Sequence, residues 1–464
     1  MPPSTTVDAL PEALPAAPSA RRELIRMSLP VIGLNLLNVT AVIVDAIMCG
    51  HLPNGEEALT ALGFAGQISF LMVVIMMGIT VGAVALVARA HGARARDRVQ
   101  HLLQQSVQLT LILGVVAGAL GVLATRPLLW MLGATPAVED AASSFLTPIM
   151  AATVLGYLNI LLGAVLRGVG NTRLALRVAI AVNVVNVLVN SVLIFGMGPV
   201  PSFGLPGAAY GTIFAQTVGV LLTVYLLRAG AEPALELRLS WAPLDLPLAK
   251  ELLRVGAPAA LDMMIMNAAL FVIIALLGRA EPLAVAAHGI GMRLQSVAFV
   301  PGLSIAQATG ALVGQSLGGG NIPRVREVVR ASAWLAAGIL SALGVLIVVF
   351  ASPLIALFGA HPGTVLGELT YEWMVLLALG MPLVGAHFAF VGLFQGSGAT
   401  NTGLVINALT VFFFQIPLSL LLGPVLGWGP LGIWIAFPAS YGMKLLLELV
   451  AYRRGRWAKV GVHA

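Results

Sequence analysis

Charge is what this sequence has least of. Only 9% of its 464 residues are Asp, Glu, Lys or Arg, against about 25% in an ordinary soluble domain. With 59% hydrophobic residues and a mean hydropathy of +0.98, a water-soluble globule is excluded. Cysteine is nearly missing as well: Cys49 stands alone, so neither an intrachain disulfide nor a cysteine-based metal site is expected. No GxxxxGK[ST] or HExxH occurs, which disfavours an ATP-driven pump and a zinc protease. No nucleophile–base motif is present either, so neither an enzyme nor a cofactor is expected. Short alternating segments of a membrane barrel are lacking too. The first twenty residues carry neither the early basic cluster nor the apolar core of a signal peptide, and read as a disordered cytoplasmic tail.

What the chain does have is long apolar runs. A helix needs roughly 20 apolar residues to cross the hydrocarbon core. Twelve such segments stand at about 29–50, 60–88, 104–125, 142–166, 174–198, 206–227, 255–278, 284–314, 331–357, 371–394, 403–425 and 430–452. Backbone polar groups in lipid must be satisfied within the segment, so these predict an all-α polytopic membrane protein. The net charge of +6 is distributed by loop. Arg21, Arg22 and Arg26 precede segment 1; Arg89, Arg94, Arg96 and Arg98 follow segment 2. Arg167 and Arg173 follow segment 4, Arg324, Arg326 and Arg330 follow segment 8, and Arg453, Arg454, Arg456 and Lys459 close the chain. Intervening loops such as HLPNGEE (51–57) are acidic or neutral. Alternate loops are basic, which predicts both termini in the cytoplasm. The charge reports topology and does not call for nucleic acid.

The plan is written twice. RELIRMSLPV (22–31) matches KELLRVGAPA (250–259), which aligns Pro30 with Pro258. LRGVGNT matches FQGSGAT, and Gly168 aligns with Gly396 at the same offset; ALVARAHG (85–92) matches ALVGQSLG (311–318) at nearly that offset. Two six-helix lobes follow, at 21–228 and 250–453, after a tail at 1–20. A linker spans 229–249 and a basic tail 454–464. An even number of helices makes the repeats parallel, related by an axis along the membrane normal, with a shared central cleft as in transporters.

Against this background a few polar residues stand out. Among 19 acidic residues, only Asp45 and Asp262 sit inside apolar segments; Glu448, near the end of segment 12, is placed to pair with Lys444 four residues earlier. An aspartate at a helix centre costs about 2.5–3.5 kcal/mol on insertion scales. Asn35, Asn38 and Asp45 share one helical stripe, and Asn183, Asn186 and Asn190 repeat the pattern in segment 5. Both stripes are expected to face a wet pocket, joined by Gln67, Tyr210 and Gln216. Interhelical hydrogen bonding is the competing reading for the asparagines. Desolvation disfavours the charged form of a carboxyl, so Asp45 is expected to load and release H⁺ or to hold Na⁺ with Asn oxygens, exchanging it for an outbound cation. One charge moved through 100 mV is worth about 2.3 kcal/mol, more than tenfold in concentration ratio.

The second half carries Asp262 and Asn267 in segment 7, His288, Arg293 and Gln295 in segment 8, and His387 in segment 10. Arg293 reads as the most basic intramembrane position, and an Asp262–Arg293 ion pair as the leading arrangement, against direct contact with ion or substrate.

With these residues in hand, the chain resembles the multidrug and toxic compound extrusion (MATE) family, bacterial NorM-like branch. The likeness is carried by ELIRMSLPV and VDAIMCG in segment 1, LRGVGNTR, NVVNVLVNSVLIFGMGP, AVAAHGIGMRLQSVAFVPGLSIAQATGALVGQSLG and FQGSGATNT. The resemblance implies a bacterial inner-membrane protein, with the lipid bilayer and small molecules as partners, that performs secondary active efflux of lipophilic, often cationic compounds driven by inward H⁺ or Na⁺. It assigns the coupling ion to Asp45, with Asn186 and Asn190 as the segment 5 pair; a metal enters only as Na⁺ at Asp45. A monomer is expected. NorM proteins with a Na⁺ site in the second lobe carry an acid about two turns past the segment 7 proline and another in segment 10; here those places read Met266-Asn267 and LVGAHF (383–388), and Asp262 lies about one turn earlier, as the acid does in other bacterial relatives. Alternatives left open are a lipid-linked saccharide flippase of the wider superfamily, a channel, and a non-transporting scaffold or receptor.

Overall fold

A computed structural model describes residues 19–235, 243–361 and 363–460. Most of the expected amino-terminal tail, part of the linker and the last four residues lie outside that range. The twelve expected spans are present. They are α1 Ala20–Gly50, α2 Gly55–Gly92, α3 Arg96–Met131, α4 in two pieces (Pro136–Ala151 and Thr153–Gly168), α5 Thr172–Phe195, α6 Leu205–Arg228, α7 Leu246–Ala280, α8 Pro282–Gly318, α9 Ile322–Val349, α10 Val365–Gly396, α11 Thr400–Val425 and α12 Gly429–Arg454. The two pieces of α4 meet at 58°. Pro148 sits one turn before the break and cannot donate to the helical ladder. In α11, wide π turns at Val411–Gln415 and Leu421–Val425 flank Pro417. Asp245 caps α7 by accepting from the Leu248 N–H, and His101 Nε2 of α3 lies 3.0 Å from it. These two donors hold its carboxyl below the usual range.

Two six-helix bundles meet along α2 and α8, and the seam is built from small residues. A Cβ added to Gly92 would lie 1.9 Å from the Gln315 carbonyl oxygen, and one on Gly318 the same distance from that of Arg89. Arg89 and Gln315, like Gly92 and Gly318, hold matching places in the repeats ALVARAHG and ALVGQSLG, so each contact is the symmetry mate of the other. Polar contacts follow it to within one residue: Gln315 Nε2 donates to the Gly168 carbonyl at 2.8 Å and Arg89 Nη2 to that of Ser397, next to the Gly168 counterpart Gly396, at 3.0 Å. The glycine turns serve this packing. Gly168 and Gly396 lie against α2 and α8, while Gly170 and Gly398 adopt φ of +92° and +74°.

The lobes touch chiefly at the end that carries both chain termini. Arg324 Nη2 reaches Glu23 at 2.7 Å, and Glu327 accepts from the Ala20 N–H. Gly256 of α7 presses on Gly78 of α2. From 78 to 90, α2 is buried except at Val84 and Arg89, whereas from 36 to 50, α1 is buried only at Cys49. The molecule is therefore closed at one end and divergent at the other. A methyl at Gly256 would fall 1.8 Å from the Gly78 carbonyl oxygen, so Gly256→Ala is expected to cost about 1–3 kcal/mol by overpacking. It should lower the thermal midpoint in detergent, while Gly289→Ala, which meets open space, leaves it unchanged or higher. Equal midpoints for the two variants would contradict this packing.

Candidate functional site

In the first lobe, α1, α5 and α6 bring together one carboxylate and a short amide chain. Asn190 Nδ2 donates to Asp45 Oδ1 at 2.7 Å, and lies 3.4 Å from Asn186 Oδ1; Asn186 Nδ2 in turn reaches Thr212 Oγ1 at 3.3 Å. Asn190 is 0% exposed, and its Oδ1 has no protein partner. Gly211 makes room for it, since a Cβ there would sit 1.9 Å from that oxygen. Asp45 itself is half-buried. It stands five residues, about 8 Å, from the end of α1 that faces away from the closed seam.

The remaining first-lobe candidates are not drawn into this chain by any hydrogen bond. Asn35 Nδ2 crosses to Ser304 Oγ of α8 at 2.9 Å, so it joins the lobes. Asn183 bonds back to the Ala179 carbonyl of its own helix. Gln216 is engaged by Asn159 Nδ2 at 2.7 Å. Asn38, Gln67 and Tyr210 are exposed, the last edge-on to Phe203. Hydrogen bonds join only Asp45, Asn190, Asn186 and Thr212 into one chain.

The second lobe corrects the expected ion pairing. Arg293 is exposed and lies over the Phe358 ring at 5.9 Å. Asp262 instead lines a cavity of about 30 Å³ with His387, Asn407, Lys444 and Glu448. Lys444 and Glu448 do not pair with one another as their spacing suggested. Lys444 Nζ donates to Asn407 Oδ1 at 2.7 Å, and His387 Nδ1 meets Glu448 Oε1 at 2.7 Å. Lys444 is 5% and Glu448 2% exposed, so the most deeply placed base of this lobe is Lys444, not Arg293. Asn267 and Gln295 line a neighbouring cavity of about 210 Å³. His288 is packed between Trp373 and Phe437, ring centroids 4.9 and 5.8 Å away.

The sequence profile of the MatE family matches residues 30–192 and again 258–421, two copies that begin at the paired prolines Pro30 and Pro258. The chain belongs to the MatE family. It is 28% identical over 447 residues to a probable multidrug resistance protein NorM of Thermotoga maritima, covering 96% of this chain and 95% of that one. An FAD transporter of Shewanella oneidensis is also 28% identical, over 448 residues and 93% of each chain. Among solved structures, an outward-facing multidrug resistance MATE family transporter of the MOP superfamily superposes with a TM-score of 0.85 at 22% identity, covering 95% of this chain and 97% of that one. As a MatE protein the chain is a multidrug-type membrane transporter, of a family that works without a cofactor and is not enzymatic.

Thr212, Gly211, Asn159, Asn407, Lys444 and Glu448 complete these sites in the MatE protein and were not singled out as site residues by periodicity. Their one sequence signal is a polar or small residue opposite a polar one at a helix crossing. Asn190→Ala strips Asp45 of its amide donor and is expected to cost about 1–3 kcal/mol. Asn183→Ala, which removes a bond within one helix, should stay within about 0.5 kcal/mol. Thermal unfolding of purified variants measures both, and equal losses would contradict the network.

Proposed function

We propose that this protein is a secondary active antiporter of the bacterial inner membrane, exporting lipophilic cations in exchange for inward protons by alternating access. The observation that carries the reading is the Asp45–Asn190 contact, a carboxylate inside the span, half-buried, near the divergent end of the lobe. The basic loops favour placing both termini, and hence the closed end, in the cytoplasm; on that orientation this conformation is outward-open. Each chain holds both lobes of the cleft, which supports a monomer as the working unit.

A proton suits the site better than Na⁺. Asn190 presents an N–H to Asp45 Oδ1, and a donor cannot ligate a cation, which prefers several oxygens. Oδ2 is left to take the proton. Protonation removes the negative charge that a cationic passenger needs, so proton and passenger compete for one group. Loading from outside, return to the cytoplasm and replacement by the cation there give one exchange cycle. The FAD-transporting relative makes an anionic flavin nucleotide the competing passenger, and a carboxylate at the divergent end speaks against it.

The test is ethidium efflux from cells and everted vesicles. Wild type is expected to sustain a gradient of about tenfold or more for each unit of ΔpH and to ignore an imposed Na⁺ gradient. Asp45→Asn should lose gradient-driven efflux while retaining its thermal midpoint. Full efflux by Asp45→Asn removes this residue from the mechanism, and efflux on a Na⁺ gradient alone reassigns the ion.

A further inference from the structure

The two flanks of the closed end are related by the internal repeat, yet they are shut by different means. On one flank α1 meets α8 and α9; on the other α7 meets α2 and α3. The repeat pairs Glu23 with Glu251 at the offset of Pro30 and Pro258. It pairs Arg324 with Arg98 at the offset of ALVGQSLG and ALVARAHG. The backbone keeps that register: Gly320 and its counterpart Arg94 both adopt positive φ, at +69° and +56°.

The α1 flank is shut by polar ties. Arg324 lies between two carboxylates, Glu23 at 2.7 Å and Glu327 at 2.9 Å, and Glu327 also accepts from the Ala20 N–H at 3.3 Å. Asn35 adds its bond to Ser304. On the α7 flank the counterparts of this ion pair stay apart. Glu251 and Arg98 both lie within electrostatic reach of Arg89, but among the described residues no ion pair joins them. Arg89 and Arg98 instead line a cavity of about 580 Å³.

Backbone packing and the linker shut the α7 flank. Gly82 lies against the Leu252 carbonyl and Gly256 against that of Gly78, with no room for a Cβ at either glycine. On the α1 flank the places of Gly78, Gly82 and Gly256 are taken by Ser304, Ala308 and Ser28. Each of these carries a Cβ, so the backbones cannot approach as closely there. The linker that joins the lobes also runs on the α7 flank and is pinned to α3. Gln100 donates to the Ala234 carbonyl at 3.3 Å; Gln105 donates to that of Pro243 at 3.2 Å and accepts from the Asp245 N–H at 2.9 Å.

These means differ in what it takes to undo them. A partly exposed ion pair finds a substitute in water and contributes little net stability, whereas close backbone packing has no such substitute. We propose that the closed end opens as a door, with the α2–α7 flank as its hinge and Glu23, Arg324 and Glu327 as its latch. The proposal rests on the alternating access read above. Its test needs neither passenger nor coupling ion, so its failure leaves the exchange at Asp45 standing.

The test is the distance between spin labels across each flank, measured by electron–electron double resonance on the full chain with Cys49→Ala in lipid nanodiscs. Arg22→Cys with Arg326→Cys spans the latch and Lys250→Cys with Asp97→Cys the hinge, all four positions being exposed. Arg324→Glu sets three carboxylates together. It should raise the long-distance population across the latch by about fivefold or more and leave the hinge distribution where it is. Glu23→Arg combined with Arg324→Glu should return that population to within about twofold of wild type, and Arg98→Glu should leave it unchanged. Equal widening of both label pairs overturns the hinge, since the lobes then part symmetrically. The latch is overturned if Arg324→Glu widens nothing, if the exchanged pair fails to restore the closed distance, or if Arg98→Glu acts as strongly. Failure of both Arg324→Glu and the exchanged pair to give monodisperse protein also overturns it, by making Arg324 a requirement of folding.

Discussion

A charge inside a lipid-spanning bundle must be paired, hydrated or given a task, because the hydrocarbon around it offers no solvent. Everything distinctive in this protein follows from how its two lobes meet that demand. The first lobe leaves one carboxylate, Asp45, with a single amide donor and a buried oxygen beside it. The second lobe encloses two carboxylates, an imidazole and an ammonium in contact or near contact. The same fold thus holds a sparse site in one lobe and a crowded one in the other.

The seam between the lobes is suited to parting. Large interlocking side chains are largely missing from it: α2 approaches α8 through Gly92, Gly314 and Gly318, and α7 through Gly78 and Gly82. Small residues of this kind let helix backbones approach closely. The polar ties across the seam are few, and among the described residues include Glu23 with Arg324, Asn35 with Ser304, and the symmetric pair at Arg89 and Gln315. They tie the lobes together at the closed end.

The fold was legible in the sequence because hydropathy counts spans directly, and the constant offset between paired landmarks such as Pro30 and Pro258 reveals the duplication. The helices overrun the apolar runs, α1 beginning at Ala20 and not near 29, since a helix continues beyond the lipid where hydropathy has already fallen. Periodicity also found the two stripes that meet at Asp45 and Asn190, yet it could not say which neighbour each stripe faces. Asn35 therefore turned out to face the other lobe, and Asn183 its own backbone. The second lobe was read less well. Lys444 and Glu448 stand four apart and look like a local pair, but their partners come from Asn407 and His387, 37 and 61 residues away. Arg293 was weighted by its place in an apolar run, although its side chain lies at the surface. Contacts between distant helices are the information that one helix's spacing does not contain.

The central claim is that the carboxyl of Asp45 carries a proton which a cationic passenger displaces. Infrared difference spectroscopy on the purified protein reads this bond itself. Adding tetraphenylphosphonium at mildly acidic pH should remove a protonated-carboxyl C=O band and raise carboxylate bands, and that change should be missing in Asp45→Asn. A spectrum in which no carboxyl signal depends on residue 45, or in which the cation leaves that signal untouched, would contradict the account.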